Sequence, residues 1–140
     1  MKTFLGLGSN IENRYKNLQQ GIKYLNEHPH IWILKESYIY ESPSMYLLDQ
    51  GDYFNMVIEI ESNLDPLNLL KVVKDIEAKC GRIINNIKNM PRELDIDILS
   101  IDNLIIETNI LNIPHSKISE RLFVLRPWND ISPNFIIPKI

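Results

Sequence analysis

Residues 53–81 decide the fold, and they read YFNMVIEIESNLDPLNLLKVVKDIEAKCG. The first part, Tyr53 to Glu61, alternates with a slight break of phase and is rich in β-formers, which predicts a strand. Asp65 and Pro66 then supply a helix N-cap and a first-turn proline, and Cys80-Gly81 supplies the helix end. The helix between them is predicted to bury one face, made of Leu67, Leu70, Val73, Ile76 and Glu77.

The same two patterns occur on the N-terminal side of this segment. Thr3 to Leu7 predicts a first strand, and the glycines of Gly6-Leu-Gly8-Ser9-Asn10 predict a structural turn after it, because neither phosphate-loop spacing is present. Asn13 to Glu27 predicts a helix with Tyr15, Leu18, Ile22 and Leu25 on its apolar face. Ile31 to Glu41 alternates and predicts a second strand.

On the C-terminal side, Glu93 to Ile101 predicts a fourth strand, and a proline-containing remainder predicts a short helix over about Ser119 to Asn129. The resulting order of strand, helix, strand, strand, helix, strand is a split βαβ pattern. It predicts a ferredoxin-like α+β sandwich, with helices covering one face of a mainly antiparallel sheet. A length of 140 residues is usual for one domain, so residues 1–140 are expected to form a single domain.

Composition narrows the function classes. The net charge is −3 and the pI is 5.6, which argues against bulk binding to nucleic acid or to an anionic membrane. The N-terminus has no secretory pattern, no apolar run is long enough to span a bilayer, and the single cysteine, Cys80, is interpreted as inert packing. We therefore expect a cytoplasmic protein that binds neither nucleic acid nor membrane.

The stretch Leu94-Asp95-Ile96-Asp97-Ile98 has the clearest chemical content. Strand periodicity sends Asp95 and Asp97 to one face and the three apolar residues to the other. Two carboxylates roughly 6.5 Å apart at their Cα atoms suit two hard cations about 4 Å apart, with Mg²⁺ the natural candidate. On spacing alone, however, a solvated strand face is the more common explanation.

Basic residues precede this strand in the segment that joins it to the second helix. Arg82, Lys88 and Arg92 occur there without acidic residues, and guanidinium groups beside metal-binding carboxylates favour a polyanion such as a triphosphate. Taken alone, the segment is equally well explained as a solvated loop. His115 and Arg121 add two further candidate phosphate contacts, although a single histidine is more often a surface or structural residue.

Tyr53 and Asn55 have the same parity at the start of a strand. A ring and an amide on one face suit stacking on, and hydrogen bonding to, a flat heterocycle. The alternative, an ordinary strand aromatic beside a polar residue, is the commoner one in isolation.

Taken together, the motifs resemble the 6-hydroxymethyl-7,8-dihydropterin pyrophosphokinase family over nearly the whole chain. The stretch Pro91-Arg92-Glu-Leu-Asp95-Ile-Asp97-Ile-Leu99 is the most specific. The other matching motifs are Gly8-Ser9-Asn10, Tyr40-Glu41-Ser42-Pro43, Tyr53-Phe54-Asn55, Glu77, Gly81-Arg82, Pro114-His115 and Arg121-Leu-Phe123-Val-Leu125 with Pro127.

The resemblance implies transfer of diphosphate from ATP to the hydroxymethyl group of the pterin, with AMP released, by a monomer that uses two Mg²⁺ ions. Asp95 and Asp97 would bind the metal ions, and Arg82 and Arg92 would act with them as catalytic residues. The implied pterin site contains Ser42, Pro43, Met45, Tyr53, Asn55 and Phe123, with Tyr53 and Phe123 on either side of the ring. The implied nucleotide site contains Glu77, Arg82, Arg92, Ile98, His115, Ser116 and Arg121.

One segment departs from the family pattern. Many relatives have a tryptophan and further basic residues between the two arginines, whereas Ile84, Asn85 and Asn89 occur here. We expect activity with reduced turnover. Two rivals remain open: a binding module that has lost transfer activity, which the two aspartates disfavour, and a metal-dependent nuclease or nucleotidyltransferase, for which no basic track is found.

Overall fold

The computed structural model of the chain describes residues 1–10, 13–42, 53–81, 94–116 and 122–133. These residues form strands and helices that alternate much as the sequence predicts. In chain order the elements are β1 (Lys2–Ser9), α1 (Arg14–Glu27), β2 (Ile31–Glu36), β3 (Tyr40–Ser42), β4 (Tyr53–Ser62), α2 (Pro66–Lys79), β5 (Asp95–Ile101), β6 (Ile106–Glu107), β7 (Asn112–Ile113) and α3 (Leu122–Ile131).

The main sheet is antiparallel at every described pairing. Its strand order is β2-β4-β1-β5, and the short β3 pairs with β4 beyond the end of β2. A central β1 flanked by β4 and β5, with helices after β1 and β4, is the ferredoxin-like arrangement. The predicted fold class is therefore confirmed. The pair β6–β7 forms a separate two-stranded sheet that the sequence did not predict.

Both faces of the sheet are covered by helices. Leu5 and Leu7 of β1 point into a large core shared with α1 and α2, whereas Phe4 points into a smaller core with Val124 and Trp128 of α3. Because alternate residues of a strand face opposite sides, α3 lies on the face opposite α1 and α2. The expectation that helices cover one face holds for the two helices of the split βαβ unit and not for α3.

Helix α2 begins and ends as predicted. The Asp65 side chain accepts a hydrogen bond of 2.9 Å from the Asn68 amide, and Gly81 follows the helix with a φ of 98°, a conformation that favours glycine. Its buried face is rotated from the predicted one. Leu69 is buried with Val73, Ile76 and Glu77, while Leu67, in the first turn, is 50% exposed.

The predicted strand over Ile31 to Glu41 is in fact two strands, and Ser37 is the reason. The Ser37 amide donates to the Val57 carbonyl at 2.9 Å, and the Val57 amide donates to Ser37 Oγ at 2.9 Å. A side-chain oxygen thus replaces the main-chain carbonyl of a regular ladder, which ends β2 and lets the chain enter β3. The apolar pattern of the sequence does not reveal where a side-chain hydroxyl takes the place of a main-chain acceptor.

Two other predicted boundaries differ from the structure. Strand β1 runs through Gly6 and Gly8 to Ser9, so the predicted turn at these glycines is wrong. Helix α3 ends two residues beyond the predicted Asn129, at Ile131, and residues 117–121 lie outside the described part of the chain. Of the helices described, none has the length and apolar character needed to cross a membrane.

Candidate active site on the α3 face of the sheet

The strand register brings two predicted groups of residues to one face of the sheet. Gly8 of β1 pairs with Asn55 of β4 on one side and with Asp95 of β5 on the other. Residues directly opposite in an antiparallel pair share a face, so the amide and the carboxylate lie on the same face, about 10 Å apart across one intervening strand. Val57, two residues after Asn55, contacts the α3 core, which identifies this as the α3 face.

The two carboxylates alternate with buried apolar residues as predicted. Asp95 and Asp97 are half-buried, whereas Ile96 and Ile98 are buried in the core on the opposite face. Within the described ranges, no group of three or more His, Cys, Asp or Glu side chains has the arrangement of a metal site. A pair of half-buried carboxylates on one strand face suits Mg²⁺, which keeps water ligands and takes further oxygens from phosphates.

Two glycines of β1, Gly6 and Gly8, leave the backbone of this face without side chains. A Cβ atom at Gly8 would lie 3.0 Å from Asn55 Oδ1 and 3.7 Å from Tyr53 Cδ1, so the tyrosine ring and the amide both adjoin the bare backbone there. Gly6, two residues earlier, pairs with Asp97. Both glycines lie on this face, which the sequence interpretation missed, and of the two Gly8 is the one that adjoins Tyr53 and Asn55, since a Cβ at Gly6 would contact Leu99. Their spacing of two in a strand was the available signal, since glycine inside a strand marks close approach to the backbone.

His115 lies beside the second carboxylate. Its Nε2 is 4.0 Å from Asp97 Oδ1, and its main-chain amide donates to the Leu99 carbonyl at 2.9 Å, which fixes the segment after β7 against β5. The structure therefore brings together two residues that the sequence places in separate motifs. Ser116, the next residue, is exposed to solvent.

Glu77 holds the outer edge of β5. Its side chain is fully buried, Oε2 accepts a hydrogen bond of 2.7 Å from the Ile96 amide, and Oε1 lies 3.3 Å from Lys74 Nζ. This hydrogen bond holds the strand backbone between Asp95 and Asp97. The Ile98 side chain faces the core on the side away from the carboxylates, and its role in the nucleotide site stays a prediction.

For several predicted site residues the structure does not describe the side chain. For two of them only the backbone is described: Ser42 pairs with Tyr53, and Phe123 lies in the first turn of α3. Their roles, and the nucleotide-site role of Glu77, stay predictions. The remaining five lie outside the described residues, namely Pro43, Met45, Arg82, Arg92 and Arg121.

Tyr40 anchors α3 to the sheet, a contact that the sequence did not indicate. Its hydroxyl donates to the Asp130 carboxylate, with 2.7 and 2.9 Å to the two oxygens. This hydrogen bond raises the pKa of Tyr40 above its ordinary value. Because Tyr40 pairs with Asn55 across β3 and β4, the anchor joins α3 to the strand that carries the amide.

The fold and the site together define the class of protein. It is an α+β sandwich with helices on both faces of an antiparallel sheet, and one sheet face carries two carboxylates on one side of β1 and a tyrosine and an amide on the other. Residues 4–133 match the family model described as 7,8-dihydro-6-hydroxymethylpterin-pyrophosphokinase (HPPK). The chain belongs to this family.

Named relatives agree with the family. The chain is 38% identical over 128 residues to the 2-amino-4-hydroxy-6-hydroxymethyldihydropteridine pyrophosphokinase of Bacillus subtilis, covering 91% of this chain and 76% of the relative. It is 39% identical over 137 residues to the folic acid synthesis protein FOL1 of Dictyostelium discoideum, covering 98% of this chain. The chain spans only 20% of the length of that protein.

A solved structure supports the fold. The Plasmodium falciparum HPPK-DHPS wild type with pteroate superposes with a TM-score of 0.77 at 18% identity, covering 96% of this chain and 39% of that one. At 18% identity, this structural similarity supports the fold class and assigns no roles to residues.

Proposed function

We propose that the chain transfers the terminal diphosphate of ATP to the hydroxymethyl group of 6-hydroxymethyl-7,8-dihydropterin and releases AMP, as a step of folate biosynthesis. Membership of the HPPK family supports the reaction. The observation that carries the proposal is the register Asn55–Gly8–Asp95, which puts a group suited to a heterocycle and a group suited to phosphate chemistry on one face, one strand apart.

The pterin is proposed to bind over Gly8. Its ring would stack on Tyr53, with Phe123 on the other side, and the Asn55 amide, which both donates and accepts, would pair with the polar edge of the ring. Support comes from the contacts around Gly8, where a Cβ atom would lie 3.0 Å from Asn55 Oδ1 and 3.7 Å from Tyr53 Cδ1, so both side chains adjoin the bare backbone. Ser42, Pro43 and Met45 are proposed to complete this pocket.

Asp95 and Asp97 are proposed to hold two Mg²⁺ ions, whose chemistry when bound is to neutralise charge on the phosphates and lower the pKa of the attacking hydroxyl. The carboxylates suit this role because both are half-buried on one face and their strand is fixed by Glu77. The proposed ATP contacts are Glu77, Arg82, Arg92, Ile98, His115, Ser116 and Arg121.

The reaction is proposed to proceed by in-line attack of the pterin hydroxyl oxygen on the β-phosphorus of ATP. The new oxygen–phosphorus bond forms as the bond from the β-phosphorus to the α,β-bridging oxygen breaks, and AMP leaves with that oxygen. The hydroxyl proton passes to the Asp97 carboxylate. His115, whose Nε2 is 4.0 Å from Asp97 Oδ1, is proposed to hydrogen-bond a phosphate oxygen beside the acceptor.

The proposal extends to the state of the protein. Residues 1–140 would act as one domain, because a single main sheet joins the N-terminal and C-terminal halves of the described chain through β1 and β5. We further propose that the protein is a cytoplasmic monomer. A molar mass from size-exclusion chromatography with light scattering of twice 16.4 kDa or more would contradict the monomer.

The experiment that tests the function is an assay of AMP release from ATP and Mg²⁺, with and without the pterin. It compares the wild type with Asp95→Ala and with Asp75→Ala, a control that removes an exposed carboxylate from α2. We expect AMP release that requires the pterin, disappears in Asp95→Ala and persists in Asp75→Ala. Release independent of the pterin, or pterin binding without any AMP, would overturn the proposal, and the second result would favour a binding module.

A further inference from the structure

Arg14, the first residue of α1, packs against the back of the strand segment that carries Tyr53 and Asn55. Its guanidinium carbon lies 4.0 Å from the centroid of the Phe54 ring, and its Nη1 donates to Glu41 Oε2 at 3.1 Å. Phe54 lies between Tyr53 and Asn55 in the chain and packs against the α1 and α2 core, so its side chain points to the opposite face of the sheet. Arg14 therefore contacts the strand from the side away from the site.

The two contacts of Arg14 act on one cross-strand pair. Glu41 of β3 and Phe54 of β4 are directly opposite each other. A planar guanidinium can stack on a ring and at the same time donate from its edge to a carboxylate, which a lysine ammonium cannot do with the same geometry. The Arg14 side chain is only 26% exposed, and so the stacking is shielded from water more than an ordinary surface contact.

Strand β3 needs such a clamp because it is short. It contains three residues, and its pairing partner in the sheet is β4. Strands this short at a sheet edge are weakly held by main-chain hydrogen bonds alone. The pair held by Arg14 is the middle one, and the pairs on either side of it are Tyr40–Asn55 and Ser42–Tyr53.

We propose that Arg14 is a positioning residue for the pterin half of the site. By joining Glu41 to Phe54, it fixes the backbone on both sides of that pair and so the directions in which the Tyr53 ring and the Asn55 amide leave the strand. The inference rests on the proposed function for the identity of the ligand. Its effect is confined to one side, since Asp95 and Asp97 lie on β5, on the far side of β1.

The kinetic test compares Arg14→Met, Arg14→Lys and the control Lys16→Met, which removes an exposed cation from the same turn of α1. Loss of the shielded stacking is expected to raise the KM for the pterin about tenfold in Arg14→Met, with kcat and the KM for ATP within about twofold of wild type. Arg14→Lys keeps the ion pair and loses the planar stack, so its KM should be intermediate. Lys16→Met should match wild type.

A second readout separates a failure of this inference from a failure of the proposed function. Amide hydrogen exchange should quicken at Tyr53 and Asn55 in Arg14→Met and stay unchanged at Ile96 and Ile98. Wild-type protein that releases no pterin-dependent AMP refutes the proposed function, whatever the exchange shows. An active wild type whose Arg14→Met variant has either an unchanged pterin KM or equal changes in both KM values and kcat refutes the role of Arg14.

Discussion

Replacing Gly8 with alanine tests how tightly the proposed pterin side of the site is packed. The added Cβ would lie 3.0 Å from Asn55 Oδ1, a separation that real Cβ atoms rarely show, so the amide must move by a few tenths of an ångström. Asn55 is only 6% exposed, which leaves its side chain little space to move. The backbone at Gly8 is not the source of the effect, because among the described glycines only Gly81 has a positive φ.

The size of the effect follows from the hydrogen bonds that the displaced amide would lose. A buried polar group left without its partner costs about 1–3 kcal/mol, which corresponds to a rise of about fivefold to 150-fold in the KM for the pterin. The KM for ATP should change much less, because the carboxylates proposed to hold Mg²⁺ lie on β5, on the far side of β1. The matched control is Gly6→Ala, whose Cβ would meet Leu99 Cδ2 at 3.5 Å, an ordinary contact.

The assay is steady-state kinetics with each substrate varied in turn, beside urea unfolding of both variants. Gly6→Ala should keep wild-type KM values, and its free energy of unfolding should be equal or higher by about 0.5 kcal/mol, since alanine restricts the unfolded chain. An unchanged pterin KM in Gly8→Ala would refute the reasoning. So would an equal rise in both variants, because the two differ only in what the new Cβ contacts.

Three further predictions concern the contacts that support the site. The Asp130 hydrogen bond raises the pKa of Tyr40 above 10.0, so its stabilising effect is complete below that pH and declines as the pH rises past it. Above this pH, the urea midpoint of Tyr40→Phe should therefore fall less steeply with rising pH than that of the wild type. An equal fall in the two proteins would contradict the prediction. Asp65→Ala removes the cap of α2 and should lower the free energy of unfolding by about 1 kcal/mol in urea titrations, whereas no change would show that the 2.9 Å hydrogen bond is dispensable. Glu77→Leu deprives the Ile96 amide of its acceptor and should cost about 1–3 kcal/mol, with faster hydrogen exchange at that amide; protection equal to wild type would show that another group holds the strand.

The sequence predicted the elements whose signals are local. Asp65, Pro66 and Gly81 mark both ends of α2 in the chain and in the structure, because capping depends on groups within one turn of each other. The alternation of Asp95 and Asp97 with Ile96 and Ile98 likewise survives, because a strand has a period of two wherever it lies in the sheet. The order of these elements was enough for the ferredoxin-like fold class.

Elements whose ends depend on a distant partner were predicted less well. Ser37 divides the predicted strand over Ile31 to Glu41 because its hydroxyl accepts from Val57, twenty residues away. Gly6 and Gly8 continue β1 because β4 and β5 pair with them on both sides, although glycine locally favours a turn. In both cases tertiary hydrogen bonds override the local preference.

By itself, then, the sequence determined the fold class, the carboxylate pair and, through its motifs, the resemblance to the family to which the chain belongs. Only the tertiary structure decided that Asn55 and Asp95 share a face across Gly8, that α3 covers the face opposite α1 and α2, and that Arg14 supports β4 from behind. The physical reason is that periodicity and capping are properties of neighbouring residues. Strand register and side-chain stacking arise instead between segments that are far apart in the chain and meet only in the folded sheet.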